Sequence, residues 1–200
     1  VDCEQVFGTL LDGLATRYVE VLHKIDRFPQ KPSPEALRRL LVKLPDNVLV
    51  HDRLLAKLPR ESRYLEALNH AGFFRAPPPP DRDAQGNIQF HRPWRAAEFL
   101  AQVASESTLH DAVWVIMEGL PDTDNESVHS SLAKAAMELP VQLAAQWACR
   151  EVAWLEARAV RNRIYDHSTE QLGALAAYLA QRGAVTESLS LFRALLKYPP

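Results

Sequence analysis

A chain of 200 residues that is 47% hydrophobic and 24% charged, with a net charge of −2, has the composition of one ordinary globular domain. Its two cysteines, Cys3 and Cys149, lie far apart in sequence, which excludes a disulfide framework or a CxxC zinc module. No apolar run approaches the roughly 20 residues that a membrane-spanning helix needs, so we expect no membrane insertion.

The cysteines and the two ends of the sequence give information on the cellular location and the extent of the protein. Sparse cysteines fit a reducing setting, and the first residues lack the basic segment and apolar core of a signal peptide. We therefore expect a cytoplasmic protein. Cys149 lies between apolar helical positions, which predicts a small buried side chain. Because the sequence has no initiator Met and stops at Pro200 directly after a helical pattern, we expect a piece of a longer protein.

Before residue 75, apolar residues recur three or four positions apart, which is the spacing of one helix face. This pattern predicts helices over residues 7–25, 37–44, 54–58 and 65–71. Ser33 precedes Pro34 and Glu35, which is typical of a helix start because the hydroxyl accepts from free backbone N–H groups. Residues 47–51 are rich in Val and Leu and are compatible with a strand, but their helical neighbours favour a helix.

The segment 75–93 interrupts the helical pattern. Its four prolines, Pro77 to Pro80, favour extended polyproline II geometry. Residues 85–87 (Gln-Gly-Asn) are typical of a turn, and residues 88–90 predict a very short strand. The segment is either a spacer between two helical halves or a docking segment for an aromatic groove. We expect it to fold back onto its own domain, because aromatic residues flank the prolines. These residues are Phe73, Phe74, Phe90 and Trp94.

After residue 93 the helical spacing becomes regular. It predicts helices over residues 96–104, 112–120, 128–139, 143–155, 172–179 and 189–196. Capping-box spacing pairs Thr123 with Glu126 and Ser168 with Gln171 at two of the helix starts. Proline disfavours helical geometry in the residue before it, so Leu-Pro pairs indicate helix ends. They occur at residues 44–45, 58–59, 120–121 and 139–140.

Short connections between many consecutive helices favour antiparallel neighbours and a stacked array. We therefore predict an all-α fold in which antiparallel helix pairs stack as an α-solenoid-like or superhelical array. The chain should have three parts. These are an N-terminal helical subdomain over 1–74, a proline-rich connecting segment over 75–93 and a C-terminal helical-repeat subdomain over 94–200.

Residues 168–200 resemble a tetratricopeptide repeat. The run 175–183 matches the first helix of that family and ends on its turn glycine, and Pro200 stands where the closing proline falls. Two positions depart from the pattern: Ala176 replaces the usual glycine and Ser188 the usual alanine.

Residues 93–157 are similar in architecture to HEAT or armadillo repeats, with two helix pairs of unequal length. They lack the full Asp/Arg ladder of those families. Both resemblances imply a scaffold whose curved helical surface binds proteins or peptides.

Motifs for catalysis and for cofactor or metal binding are missing. The sequence has no glycine-rich phosphate loop, no GxSxG elbow and no HExxH pair among its seven histidines. Residues 122–125 are similar to the opening of a calcium loop, but Ser127 replaces the required glycine and Ala133 the required Glu. Residues 166–168 place Asp, His and Ser side by side, which does not give triad geometry. We therefore expect no enzymatic activity, no cofactor and no metal ion.

The strongest candidate site lies on the helix predicted over 143–155, whose apolar positions include Val152. Trp147 and Trp154 are seven residues apart and share one helix face. Four arginines lie on or just beyond this helix: Arg150, Arg158, Arg161 and Arg163. Aromatic rings beside arginines suit stacking on peptides or bases. Three interpretations stay open, namely core packing, a protein or peptide groove, and nucleic-acid binding.

Charge is distributed unevenly along the chain. Residues 38–63 carry seven basic and three acidic side chains, a net charge of +4, whereas residues 98–139 carry one basic and eight acidic side chains, a net charge of −7. Such segments either support contacts with charged partners or form solvated helix faces.

Taken together, these features predict a non-catalytic helical-repeat scaffold that mediates protein–protein or intramolecular domain contacts. The alternative is a nucleic-acid-binding domain similar to the HEAT-like DNA glycosylases. An isoelectric point of 6.4 argues against DNA binding, because DNA-binding domains are usually basic.

Overall fold

The computed structural model describes residues 19–27, 31–42, 48–159 and 167–197. Helices dominate these ranges, which confirms the predicted all-α fold of packed helix pairs. The first half contains α1 (19–26), α2 (Pro34–Leu41), α3 (Val48–Leu55) and α4 (Ser62–His70). A small ribbon follows, in which β1 (Asp81–Arg82) pairs antiparallel with β2 (Ile88–Phe90). The second half contains α5 (Arg95–Val103), a 3-10 turn (Ser107–Leu109), α6 (His110–Glu118), α7 (Glu126–Glu138), α8 (Val141–Ala159), α9 (His167–Gln181) and α10 (Val185–Leu196).

Most helices pack against the second helix along the chain. Contacts of this kind join α2 with α4, α3 with α5, α4 with α6, α5 with α7, α7 with α9 and α8 with α10. Sequential helices also pack together, as α7 does with α8 and α9 with α10. Contacts both to the next helix and to the one after it are those of stacked helix pairs.

One continuous cluster of buried apolar side chains extends from Ile25 in α1 to Ala194 in α10. It includes side chains from both sides of the 75–93 segment, for example Leu68 of α4 and Leu100 of α5. Burial of apolar surface contributes roughly 25 cal/mol per Å², so this shared core stabilises both halves. The three-part division of the chain stays a prediction.

Helix boundaries in the first half follow the sequence signals. Ser33 caps α2, because its Oγ accepts from the backbone N–H of Ala36 at 3.2 Å. Residues 48–51 belong to α3, which confirms the helical assignment over the strand alternative. The Leu-Pro pair at 44–45 and the predicted helical residues 7–18 lie outside the described residues.

The Leu-Pro pair at 139–140 also acts as predicted. Helix α7 ends at Glu138, and Leu139 has extended backbone geometry with ψ of 163°. Helix α8 then begins at Val141, and the carbonyl oxygen of Pro140 accepts from the N–H groups of Leu143 and Ala144. The proline thus ends one helix and starts the next within two residues.

The predicted caps at Thr123 and Ser168 are both wrong. Asn125 caps α7, because its Oδ1 accepts from the N–H of Ser127 at 3.0 Å. The Oγ1 of Thr123, two residues earlier, instead accepts from the N–H of Asn125 at 3.1 Å. Helix α9 begins at His167, so Ser168 lies within its first turn and not before it.

Helices α9 and α10 form the pair that resembles a tetratricopeptide repeat. Gly183 ends α9 with a φ of 84°, which confirms the predicted turn glycine because other residues rarely adopt that geometry. The two positions that depart from the family pattern contact each other. The Oγ of buried Ser188 donates to the carbonyl oxygen of Ala176 at 2.7 Å, so the hydroxyl links the two helices.

The 75–93 segment folds back onto the start of α7, as expected. The Nδ2 of Asn125 donates to the carbonyl oxygens of Pro78 and Arg92, each at 2.8 Å. Asn125 is fully buried, so these bonds satisfy a side-chain amide that water does not reach. The N–H of Glu126 donates to Nδ1 of His91 at 3.1 Å. One asparagine therefore caps α7 and holds both arms of the proline-rich segment against it.

Asp83 organises the turn between the two strands, where Gly86 has a φ of 82°. The Asp83 carboxylate accepts from the backbone N–H groups of Gln85 and Asn87 at 3.0 and 2.7 Å. It also accepts from the side-chain amides of Asn87 and Gln89, each at 3.1 Å. Desolvation raises the pKa of Asp83, but these hydrogen bonds outweigh it and hold the pKa below its ordinary value.

Removing the Asn125 side chain tests its double role. We expect Asn125→Ala to lower the free energy of unfolding by roughly 2–4 kcal/mol, because it removes an N-cap and the two hydrogen bonds that a buried amide donates. Ser33→Ala is the control, since it removes only an exposed N-cap and should cost about 1 kcal/mol. Urea denaturation measures both values. Equal losses in the two variants would contradict this double role of Asn125.

The low pKa of Asp83 predicts how the ribbon responds to acid. Its carboxylate contributes stability above the ordinary pKa of 3.8, and this contribution is lost as the pH falls through the lower pKa of the folded state. In an NMR titration, the amide signals of Gln85 and Asn87 should therefore move with a midpoint below 3.8. The same signals should stay still in Asp83→Asn. A midpoint at or above 3.8 in the native sequence is incompatible with the hydrogen bonds described.

Candidate partner-binding pocket

A pocket of about 490 Å³ opens between α7, α8 and the α6–α7 connection, residues 119–125. Three of the four tryptophans of the sequence line it: Trp94 directly before α5, and Trp147 and Trp154 on α8. Pro77 of the proline-rich segment lines it as well. The volume lies within the range of about 300–1,000 Å³ that is typical of ligand sites. We name this cavity, lined by Trp94, Trp147 and Trp154, the tryptophan pocket.

The structure brings three of the six predicted site residues to this pocket, namely Trp147, Arg150 and Trp154. Trp147 is only 2% exposed, which agrees with core packing, one of the three interpretations left open by the sequence. Trp154 is partly buried and belongs to the pocket wall. The positions of Arg161 and Arg163, and the side chain of Arg158, lie outside the described part of the chain.

Arg150 holds the end of α6. Its guanidinium donates to three backbone carbonyl oxygens between residues 117 and 120 and to Oδ1 of Asp122, at distances of 2.6–3.3 Å. The last carbonyls of a helix have no partner within the helix, and a cation there also interacts favourably with the helix dipole. The same guanidinium lies 5.1 Å from the ring centre of Trp147. Arg150 thus fixes the connection to α8 at one edge of the pocket.

Trp154 stacks on His129 of α7, with ring centres 3.7 Å apart and planes inclined by 18°. The indole Nε1 of Trp154 donates to the carbonyl oxygen of Thr123 at 3.1 Å, and Nε2 of His129 lies 3.0 Å from the same oxygen. Nδ1 of His129 lies 2.7 Å from Oε2 of Glu151, which is fully buried. Side chains of α7 and α8 therefore converge on one backbone oxygen of the connection.

These hydrogen bonds determine the protonation of His129. A carbonyl oxygen only accepts, so Nε2 of His129 must carry a proton to bind Thr123. The contact between Nδ1 and Oε2 of Glu151 needs one further proton, which lies on either atom. The pair is neutral as a whole in both forms. This neutrality is what permits a carboxylate and an imidazole to be buried together.

His129 and Glu151 were missed by sequence reasoning. His129 was one of several scattered histidines, and the predicted apolar face of the helix contained Val152 in place of Glu151. The structure buries Glu151 completely and leaves Val152 partly exposed. Glu151 lies four residues from both Trp147 and Leu155, which are buried. A carboxylate at the helical spacing of buried residues was therefore the feature of the sequence that could have identified Glu151.

Cys149 also differs from the prediction, because it is exposed on α8 and not buried. The buried positions of this helix include Trp147, Ala148 and Glu151. Successive residues of a helix are rotated by about 100°, so Cys149 points away from that face. Apolar neighbours in sequence did not predict the burial of Cys149 correctly, because the helix face on which a residue lies depends on its position in the helical repeat.

Comparison with protein-family models, curated proteins and solved structures finds no match. Within the described ranges, no group of three or more His, Cys, Asp or Glu side chains could hold a metal ion. No helix in those same ranges is long and apolar enough to cross a bilayer. The chemistry of the tryptophan pocket itself is therefore the basis for a functional proposal.

The buried pair predicts a distinctive double-mutant cycle. We expect His129→Leu to lower the free energy of unfolding by roughly 3–5 kcal/mol, because it leaves a buried carboxylate without its partner. Adding Glu151→Leu should recover part of that loss, since the desolvated charge is then removed as well. Urea denaturation of the native, single and double variants measures the coupling. Losses that simply add would show that the two groups do not act as a pair.

Proposed function

We propose that this chain is a non-catalytic helical scaffold that binds a protein or peptide partner, or another domain of its own chain, in the tryptophan pocket. The observation that supports this most is the convergence of Trp94, Trp147 and Trp154 on one cavity. Tryptophan is enriched among the residues that dominate binding energy at protein interfaces.

Preorganisation of the pocket walls supports the same proposal. Trp154 is held by its bond to Thr123 and by stacking on His129, so binding need not order it. Immobilising a rotamer-rich side chain on binding costs about 0.5–1.5 kcal/mol. A wall that is already ordered avoids this cost and leaves more of the contact energy as affinity.

We further propose that the stacked helix pairs are degenerate repeats, HEAT- or armadillo-like over 93–157 and tetratricopeptide-like over 168–200. Packing of α5 on α7 and of α7 on α9 supports a repeating stack. The turn glycine at Gly183 supports the tetratricopeptide-like pair. The scarcity of cysteine supports a cytoplasmic location for this scaffold.

Nucleic-acid binding is the weaker alternative for this site. Asp122 and Asp124 line the pocket and pair with Arg150 and Arg82, so these groups offer phosphate no net positive charge. Arg150, the basic side chain that lines the same pocket, is already bonded to carbonyl oxygens and to Asp122.

A selection of short random peptides displayed on phage, with the intact protein as bait, tests the proposal. Enriched peptides should bind the native protein and should bind Trp154→Ala at least ~30-fold more weakly, as expected for an interface residue that dominates affinity. Trp114→Ala is the matched control. Trp114 is another partly buried tryptophan, but it lies on α6 and does not line the pocket.

Circular dichroism and thermal melting establish that both variants remain folded. Failure to enrich any peptide, or equal binding by Trp154→Ala and the native protein, would refute a partner site at this pocket. A salt-sensitive gel shift with DNA or RNA, without peptide binding, would favour the nucleic-acid alternative.

A further inference from the structure

We propose that the tryptophan pocket recognises a basic side chain, specifically an arginine presented by a peptide or protein partner. This inference rests on the proposed function, because it names the chemistry of the partner at the same site. Three features of the described residues support it: the charge at the pocket mouth, the aromatic lining and the size of the cavity.

Charge complementarity is the first feature. The side chain of Asp122 is 97% exposed at the pocket mouth. Its Oδ1 binds Arg150 at 3.1 Å, whereas its Oδ2 has no hydrogen-bond partner within the described part of the chain. This second oxygen is available to a cation.

The balance of charge inside the pocket leads to the same class of ligand. Asp122 and Asp124 line the cavity with Arg150, and the charge of His129 is matched by Glu151. Asp124 is already paired with Arg82, whose Nη2 lies 3.5 Å from its Oδ2, so Asp122 is the carboxylate of the described lining that keeps an oxygen for a cation. An anionic ligand would find no open cation among the described lining residues, because Arg150 is already bonded.

Aromatic lining is the second feature. The faces of tryptophan rings attract cations, and a planar guanidinium stacks on them better than an ammonium group does. The pocket already contains one such contact, since the guanidinium of Arg150 lies 5.1 Å from the ring centre of Trp147. The guanidinium of a partner arginine can donate to Oδ2 of Asp122 while it packs against the wall that contains Trp94 and Trp154.

Size is the third feature. A cavity of about 490 Å³ exceeds the volume of one arginine side chain and leaves room for neighbouring backbone. Apolar residues such as Leu120 and Val128 also line it, and they suit the three methylene groups of an arginine stem.

Peptides from the phage selection test this inference in a second step. Each enriched peptide is resynthesised with a fluorescent label and with its arginine replaced by citrulline, which has nearly the same shape without the charge. We expect citrulline to weaken binding ~10-fold or more, and lysine to weaken it less. Fluorescence polarisation at low and high salt measures the affinities, and high salt should weaken only the arginine and lysine peptides.

Matched variants of the protein complete the test. Asp122→Asn should weaken the arginine peptide ~10-fold and leave the citrulline peptide unchanged. Asp111→Asn makes the same change of charge at an exposed position of α6 that does not line the pocket, and it should leave both affinities unchanged.

The possible outcomes separate this inference from the function on which it rests. Peptides that need Trp154 but bind equally well with citrulline would overturn the arginine preference and leave the binding function in place. Equal effects of Asp122→Asn and Asp111→Asn would overturn it too. If no peptide depends on Trp154, the proposed function and the inference both fail.

Discussion

One backbone oxygen, that of Thr123, accepts hydrogen bonds from both Nε2 of His129 and Nε1 of Trp154. The connection between α6 and α7 has no regular structure at this point, so its polar groups need partners from elsewhere. Side chains of α7 and α8 provide them, and Arg150 of α8 does the same for the last carbonyls of α6. The connection cannot shift without breaking several of these bonds together. The position of the pocket wall depends on this constraint.

The same connection also holds the proline-rich segment 75–93 in place. Two residues after Thr123, Asn125 binds the carbonyl oxygens of Pro78 and Arg92. This contact holds the proline-rich segment against α7 and brings Pro77 and Trp94 to the pocket. Residues far apart in sequence thereby form one cavity, and a single polar cluster sets the relation between the ribbon, α7 and α8.

Helix positions could be predicted because apolar spacing records burial and proline marks boundaries, as at 139–140. The N-cap residue of α7 could not be predicted, because Thr123 and Asn125 are both residue types that are favoured at an N-cap. The choice depends on carbonyl oxygens 47 and 33 residues from Asn125, which no local pattern shows. Burial of Glu151 likewise depends on His129, which lies 22 residues away. Two tryptophans of the site could be singled out from helical spacing, but their meeting with Trp94 follows only from the fold.

Backbone order in the α6–α7 connection tests the central claim most directly, namely that side chains of α7 and α8 hold it in one conformation. Nitrogen-15 relaxation of the free protein gives order parameters for Asp122, Thr123, Asp124 and Asn125. We predict values of about 0.85, equal to those of α7, since rigid backbone has values of this size. Values below about 0.6 would mean a flexible loop. That result would contradict both the rigid connection and the preformed pocket.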